Sequence, residues 1–269
     1  MPASARSQQQ NVQTDGADGD RACYVYGIVP QDVELTGEAR GVGDPPAQVQ
    51  VVRHGDVAAL VSSVDASRPL GRPGDLMAHQ QLLDAASADI PVLPLRFGSV
   101  MTSPEAVADE LLAPHHDEFA AALGELEGRT QYVVKARYVE GAVLREVLAE
   151  VPEAAELSEA IRATGDEDAT RDMQIRLGEL INQAITAKRE ADTQAFADAL
   201  APYSVDSSVR EPTNEEDAAN VALLVETAKQ PDLERAVDEL AKEWEGRATV
   251  RLLGPMAPYD FVVTQVPGG

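Results

Sequence analysis

The chain has 269 residues, 44% hydrophobic but only 4% aromatic, enough for a packed core resting on aliphatic side chains. With 46 acidic residues against 22 basic ones the formal charge is -24, which argues against nucleic acid as the main partner and against docking on an anionic membrane, since both need a basic face. The single Cys23 excludes an internal disulfide framework and a zinc site built from several thiolates.

No run of about 18 apolar residues marks a membrane-spanning helix. Residues 1–21, rich in Ser, Gln, Asp and Gly and without a signal peptide's apolar core, read as a disordered extension of a soluble, intracellular chain. The first predicted strand is CYVYGIV, Cys23 to Val29, closed by Pro30. A Gly/Pro-rich loop follows, then two strand-like runs, VQVVRHG and VAALVSSV, joined at His54-Gly55-Asp56 by a hairpin turn signal. A helix is predicted from Asp75, as N-cap, to Ser87, with Leu76, His79, Gln80, Leu83 and Ala86 near one face. In IPVLPLRFGSV, residues 90–100, Pro91 and Pro94 allow only an edge strand or an extended loop. Ser103-Pro104 opens another helix, which Pro114 breaks or kinks before Gly128 ends the first half.

The second half opens with a strong strand, QYVVKARYV, followed by a helix over Ala142 to Glu150. The acidic 152–172 stretch reads as helix with a loop at Gly165-Asp166, and 173–200 as an amphipathic helix or a helical hairpin. Two strands, SVDSSVRE and NVALLVE, precede a helix striped with Leu233, Val237, Leu240 and Trp244. TVRLLG and YDFVVTQV close the chain as strands around a Pro-rich bend. From residue 129 onward this is a βαββαβ order, ferredoxin-like, with a helical insertion at about 152–203. The expected fold class is therefore α+β, with one domain over 22–128 and a second over 129–269.

Candidate chemistry is sparse. Cys23 lies within an apolar strand, the ordinary place for a small buried hydrophobe. His115 and His116 are adjacent, so on a helix they point about 100° apart and share no metal; a solvated helix face accounts for them. His54 and His79 have no evident carboxylate or Ser partner, and paired acids arise by chance among so many. No phosphate-binding glycine pattern occurs. Catalytic, cofactor-binding and metal-ligating residues are therefore none. Two strings stand out, PLRFGSV and LLGPMAPYDFV, each apolar, each with Pro and Gly at backbone-restricting positions and each with an aromatic. They read either as punctuated strand ends or as a shaped surface for a partner. On the second reading Arg96 supplies a charged fork and Phe97 an anchor, and Gly98 permits close backbone approach. Pro255 and Pro258 stiffen the approach, and Tyr259 and Phe261, alternating on a strand, point to one face.

These strings, with CYVYGIV, QYVVKARYV and RLGELI at 176–181, follow in an order that resembles the gas vesicle protein F/L family across nearly the whole chain from residue 22. The resemblance implies two α+β domains, no catalysis and no cofactor. It also implies an accessory or minor structural role in gas vesicle assembly, in the cytoplasm and at the vesicle. The implied partners are the hydrophobic shell protein and other accessory proteins, bound during vesicle nucleation. The competing expectation is a ferredoxin-like small-ligand-binding protein or enzyme with its site on the open sheet face; the lack of a convergent polar cluster favours the first.

Overall fold

The computed structural model describes residues 21–35, 39–68, 70–164 and 167–262. Most of the expected N-terminal extension, the 165–166 loop and the last residues of the closing strand lie outside these. Mixed helix and sheet are arranged as two antiparallel sheets.

The first sheet is centred on β1 (Arg21–Pro30), which pairs with β3 (Val57–Asp65) on one side and with the two-residue strands β4 (Leu93–Pro94) and β5 (Val100–Met101) on the other. β2 (Val49–His54) lies outside β3. Successive strand residues face opposite ways, so β1 divides its side chains between two cores. Tyr24, Tyr26 and Val29 enter one core, and Cys23, Val25 and Ile28 the other, the phase changing at a register shift between Val25 and Gly27. Burial on both faces explains why CYVYGIV is continuously apolar. Helix α1 (Pro73–Ser87) covers the Tyr24 face through Leu83. On the other face lie α2 (Pro104–Ala106), its π-helical continuation Val107–Leu112, and α3 (His116–Leu126), through Leu111, Leu112, Phe119 and Leu123.

The second sheet runs β7-β8-β6-β9, antiparallel throughout: β6 is Arg129–Tyr138, β7 Asp206–Val209, β8 Asp217–Glu226 and β9 Ala248–Met256. The strands expected at 131–139 and 249–253 are direct neighbours, with Val133 opposite Leu253 and Lys135 opposite Arg251. Helix α7 (Gln230–Glu243) and the end of α6 (Glu167–Leu200) cover one face, packing Leu233, Val237, Phe196 and Leu200 on Tyr132, Val134 and Ala136. Helices α4 (Ala142–Glu150) and α5 (Pro152–Thr164) complete the helical layer. Within the 173–200 stretch there is one continuous helix, and the antiparallel partner of α6 is α5. Arg247 pins the base of this insertion: it bonds Glu146 of α4 at 2.6 Å and Asp192 of α6 at 2.8 Å, while its guanidinium stacks 4.5 Å over Trp244. Tyr138 donates to the same Asp192.

Two local expectations are corrected. Pro73 starts α1 three residues early, with Arg72 at the N-cap, so Asp75 sits in the first turn, and there its carboxylate accepts the backbone N–H groups of Arg72 and Gly43. The closing YDFVVTQV does not continue as a strand over its described residues. Pro258 to Phe261 is a turn, closed by Phe261 N–H on the Pro258 carbonyl at 3.1 Å. The reason is Asp260: Arg210 grips its carboxylate in a fork at 2.8 and 2.6 Å, and buried Gln131 bonds both its carboxylate and its N–H. Those contacts override local strand preference.

Candidate functional site

PLRFGSV leaves the edge of the first sheet at β4 and returns at β5, and the segment between is pinned to β1 by Leu95 N–H on the Tyr26 carbonyl and Val25 N–H on the Ser99 carbonyl, both 2.9 Å. Arg96 to Ser99 forms a turn closed at 3.2 Å, with Gly98 at φ 91° in its third position. That positive φ is what requires glycine. A Cβ there would meet nothing within 4 Å, so close approach, the reason expected from the sequence, is not the cause. The turn leaves Arg96 exposed, with no ion-pair partner among the described residues, and half-buries Phe97.

Beneath the turn lies His79, 2% exposed. Its ring is 5.7 Å from Phe97, edge-on, 5.7 Å from Tyr26, stacked, and 6.4 Å from Tyr259. Gly98 N–H donates to the Tyr24 hydroxyl at 3.1 Å, which leaves that hydroxyl's proton for Nδ1 of His79 at 2.9 Å. The network thus assigns a neutral imidazole with its hydrogen on Nε2. Burial pushes its pKa down to about 4, the backbone of Leu95 opposing. Burial likewise raises the Tyr24 and Tyr259 hydroxyls.

The second string reaches this cluster from the far sheet. After β9, Ala257 N–H binds Asp84 of α1 at 2.9 Å, Pro258 is buried, and Tyr259 packs into the core around Tyr24. Pro255 stays exposed at the end of β9. Phe261 turns the other way, into the core beneath α3. The expectation that Tyr259 and Phe261 share a face fails because a turn, not a strand, connects them. The two strings do converge, with Phe97 and Tyr259 meeting on His79.

Other sequence candidates resolve differently. Cys23 is 3% exposed, and burial, aided by Glu105, pushes its thiol up to about 11, far from a reactive thiolate. His116 is not merely a solvated helix residue: its Nε2 accepts Asp56 N–H at 3.2 Å across the β2–β3 turn, and its ring lies 6.1 Å from His54. Among the described residues no group of three or more His, Cys, Asp or Glu side chains could hold a metal ion, and no helix is long and apolar enough to cross a membrane. Sequence reasoning missed the burial of His79. Its signal was the Tyr24-x-Tyr26 pair, two polar-tipped rings on one face of an otherwise apolar strand that needed a buried partner.

The family model described as gas vesicle synthesis protein GvpL/GvpF matches residues 22–263. Gas vesicle protein F of Streptomyces sp. (strain CB03234) is 37% identical over 243 residues, 89% of this chain and 98% of that one. Gas vesicle protein L of the same strain is 29% identical over 259 residues, 90% and 93% of the two chains. The crystal structure of gas vesicle protein GvpF from Microcystis aeruginosa superposes with a TM-score of 0.72 at 21% identity, covering 90% of this chain and 99% of that one. The corresponding structure from Anabaena sp. PCC7120 gives 0.69 at 23%, covering 91% and 97%. The last two are similar in fold. These relatives carry the names of gas vesicle proteins and not of enzymes. By its family model and its Streptomyces relative, this chain belongs to the gas vesicle synthesis protein GvpL/GvpF family.

Proposed function

We propose that the protein is a non-enzymatic accessory factor of gas vesicle assembly, acting in the cytoplasm and at the nascent vesicle. It binds the hydrophobic shell subunit and other accessory proteins during nucleation. The strand order of the second sheet supports a ferredoxin-like domain over 129–269 interrupted by the α5–α6 insertion, beside an α+β domain over 22–128. The observation that carries the binding role is the Arg96–Gly98 turn: an exposed guanidinium with no ion-pair partner among the described residues, and a half-buried phenyl ring held at the surface by an aromatic cluster beneath. An acidic carrier keeps an aggregation-prone subunit dispersed through its own charge while a local apolar surface engages it.

Gly98, Pro255, Pro258 and Tyr259 shape this surface from behind or beside it, Arg96 touches the partner, and Phe261, packed in the core beneath α3, does not belong to it. Because Tyr259 packs in the core, Arg96→Ala is the cleaner probe: it should leave the melting point unchanged and weaken capture of the shell subunit several-fold, as expected for an interfacial Arg. Unchanged capture would remove Arg96 from the surface, and absence of shell binding by the parent protein would refute the proposed function.

A further inference from the structure

We propose a second docking surface, separate from the Arg96 turn: the cleft between α3 and the edge of β7, unpaired on its outer side among the described residues, takes an extended segment of a partner protein in which apolar residues alternate with basic ones. The cleft measures about 640 Å³, and Leu93, Phe119, Leu126, Leu224 and Phe261 are among the residues that line it. Its rim carries the carboxylates of Glu118, Glu125 and Asp206 against Arg129, with His115 beside Glu118. An apolar floor under a net acidic rim selects an apolar, basic occupant.

The strand edge specifies its conformation. Among the described residues β7 pairs with β8 alone. Arg210 N–H reaches back to the Asn220 carbonyl at 2.8 Å. By antiparallel alternation, Asp206 and Ser208 then turn their backbone groups toward β8, and Ser207 and Val209 turn theirs outward. Consistent with this, among the described residues Ser207 N–H is held by the neighbouring Asp206 carboxylate at 2.8 Å and not by β8. An incoming strand's carbonyl would replace that carboxylate on Ser207 N–H and release Asp206 to pair with a basic side chain. Addition of a strand to an open edge supplies affinity through main-chain bonds and specificity through alternate side chains. Two of the other sheet edges are guarded: β9 by Arg251 and Pro255, and β2 by Arg53, whose guanidinium is tied to the carbonyls of Gln31 and Val33.

The charge of the whole molecule attracts any cation, so the test holds composition constant. A fluorescein-labelled octapeptide of alternating Val and Lys is titrated onto the full chain at physiological salt and followed by anisotropy. A peptide of four Lys followed by four Val is the control. The alternating peptide should bind at least ten-fold more tightly. Val209→Pro, which removes an outward N–H from an edge where proline is tolerated, should weaken it about ten-fold with the melting point retained, and Glu118→Gln with Glu125→Gln should weaken it several-fold. Equal binding of both peptides, or undiminished binding to folded Val209→Pro, would overturn the proposal. Neither result bears on shell-subunit capture at Arg96.

Discussion

The imidazole of His79 shows how one buried side chain couples two distant strings to pH. Its folded pKa, about 4, lies below the ordinary value of 6.5. Between those values the unfolded chain binds the extra proton and the folded chain does not, so stability rises with pH across the window. The full contribution is present above 6.5 and is lost as pH falls toward 4, with a difference of about 2 kcal/mol between pH 7 and pH 5. Protonation would also place a hydrogen on Nδ1, where Tyr24 now donates, and break the chain from Gly98 through Tyr24. Urea titrations at pH 7 and pH 5 on the parent and on His79→Phe separate this from carboxylate titration. The variant should lose most of the extra acid sensitivity while being less stable at pH 7, because the buried Tyr24 hydroxyl loses its acceptor. An identical pH dependence in both proteins would rule out His79 as its source.

Among the elements, α6 is a helix with two environments. Its C-terminal part is core: Phe196 and Leu200 are fully buried, and Asp192 is clamped by Tyr138 and Arg247. Its N-terminal part rests on α5, leaving Ile175 57% exposed and Leu177, Leu180 and Ile181 only half-covered. Stability along the helix is therefore graded. Phe196→Ala should cost about 3–5 kcal/mol in thermal or urea unfolding, and Ile175→Ala within about 0.5 kcal/mol of zero. Amide exchange should be faster at 173–185 than at 192–200; uniform protection along α6 would refute the division. Arg247→Met removes the clamp itself, leaving Asp192 and Glu146 without their shared cation. A cost of about 3 kcal/mol is expected, since the residual charges are partly buried.

For the whole molecule, the Ala257–Val262 strap decides whether two sheets behave as one body. It leaves the second sheet, bonds α1 through Asp84, enters the first sheet's two cores with Tyr259 and Phe261, and is fastened to Gln131 and Arg210 by Asp260. Trp244, the single tryptophan, reports only on the second half. In the parent, Trp244 fluorescence and far-ultraviolet circular dichroism should melt together. Asp260→Ala strands Gln131 and the Arg210 fork, lowers stability by about 2–3 kcal/mol, and should pull the two melting curves apart. Coincident curves with an unchanged midpoint would mean that the strap carries no coupling.

Local pattern was enough for much of the architecture. The β1 run, the Gly55-Asp56 hairpin, the Ser103 cap, whose hydroxyl accepts Ala106 N–H at 3.2 Å, and the Leu233-Val237-Leu240-Trp244 stripe were all legible. Each depends on residues within a few positions of one another, where apolar period and capping chemistry speak directly. The strings later found to meet at His79 were also visible as unusual, though not as a pair. What needed the folded chain was every feature made by distant residues: the burial of His79 under Phe97 and Tyr259, the His116–Asp56 latch, and the Asp260 fork that turns an apparent strand into a strap. Hydrogen bonds and desolvation act between atoms brought within a few ångströms across more than a hundred positions, as Gln131 and Asp260 are. No window along the sequence contains both partners of such a bond, so local preference names the strand and tertiary contact makes the turn.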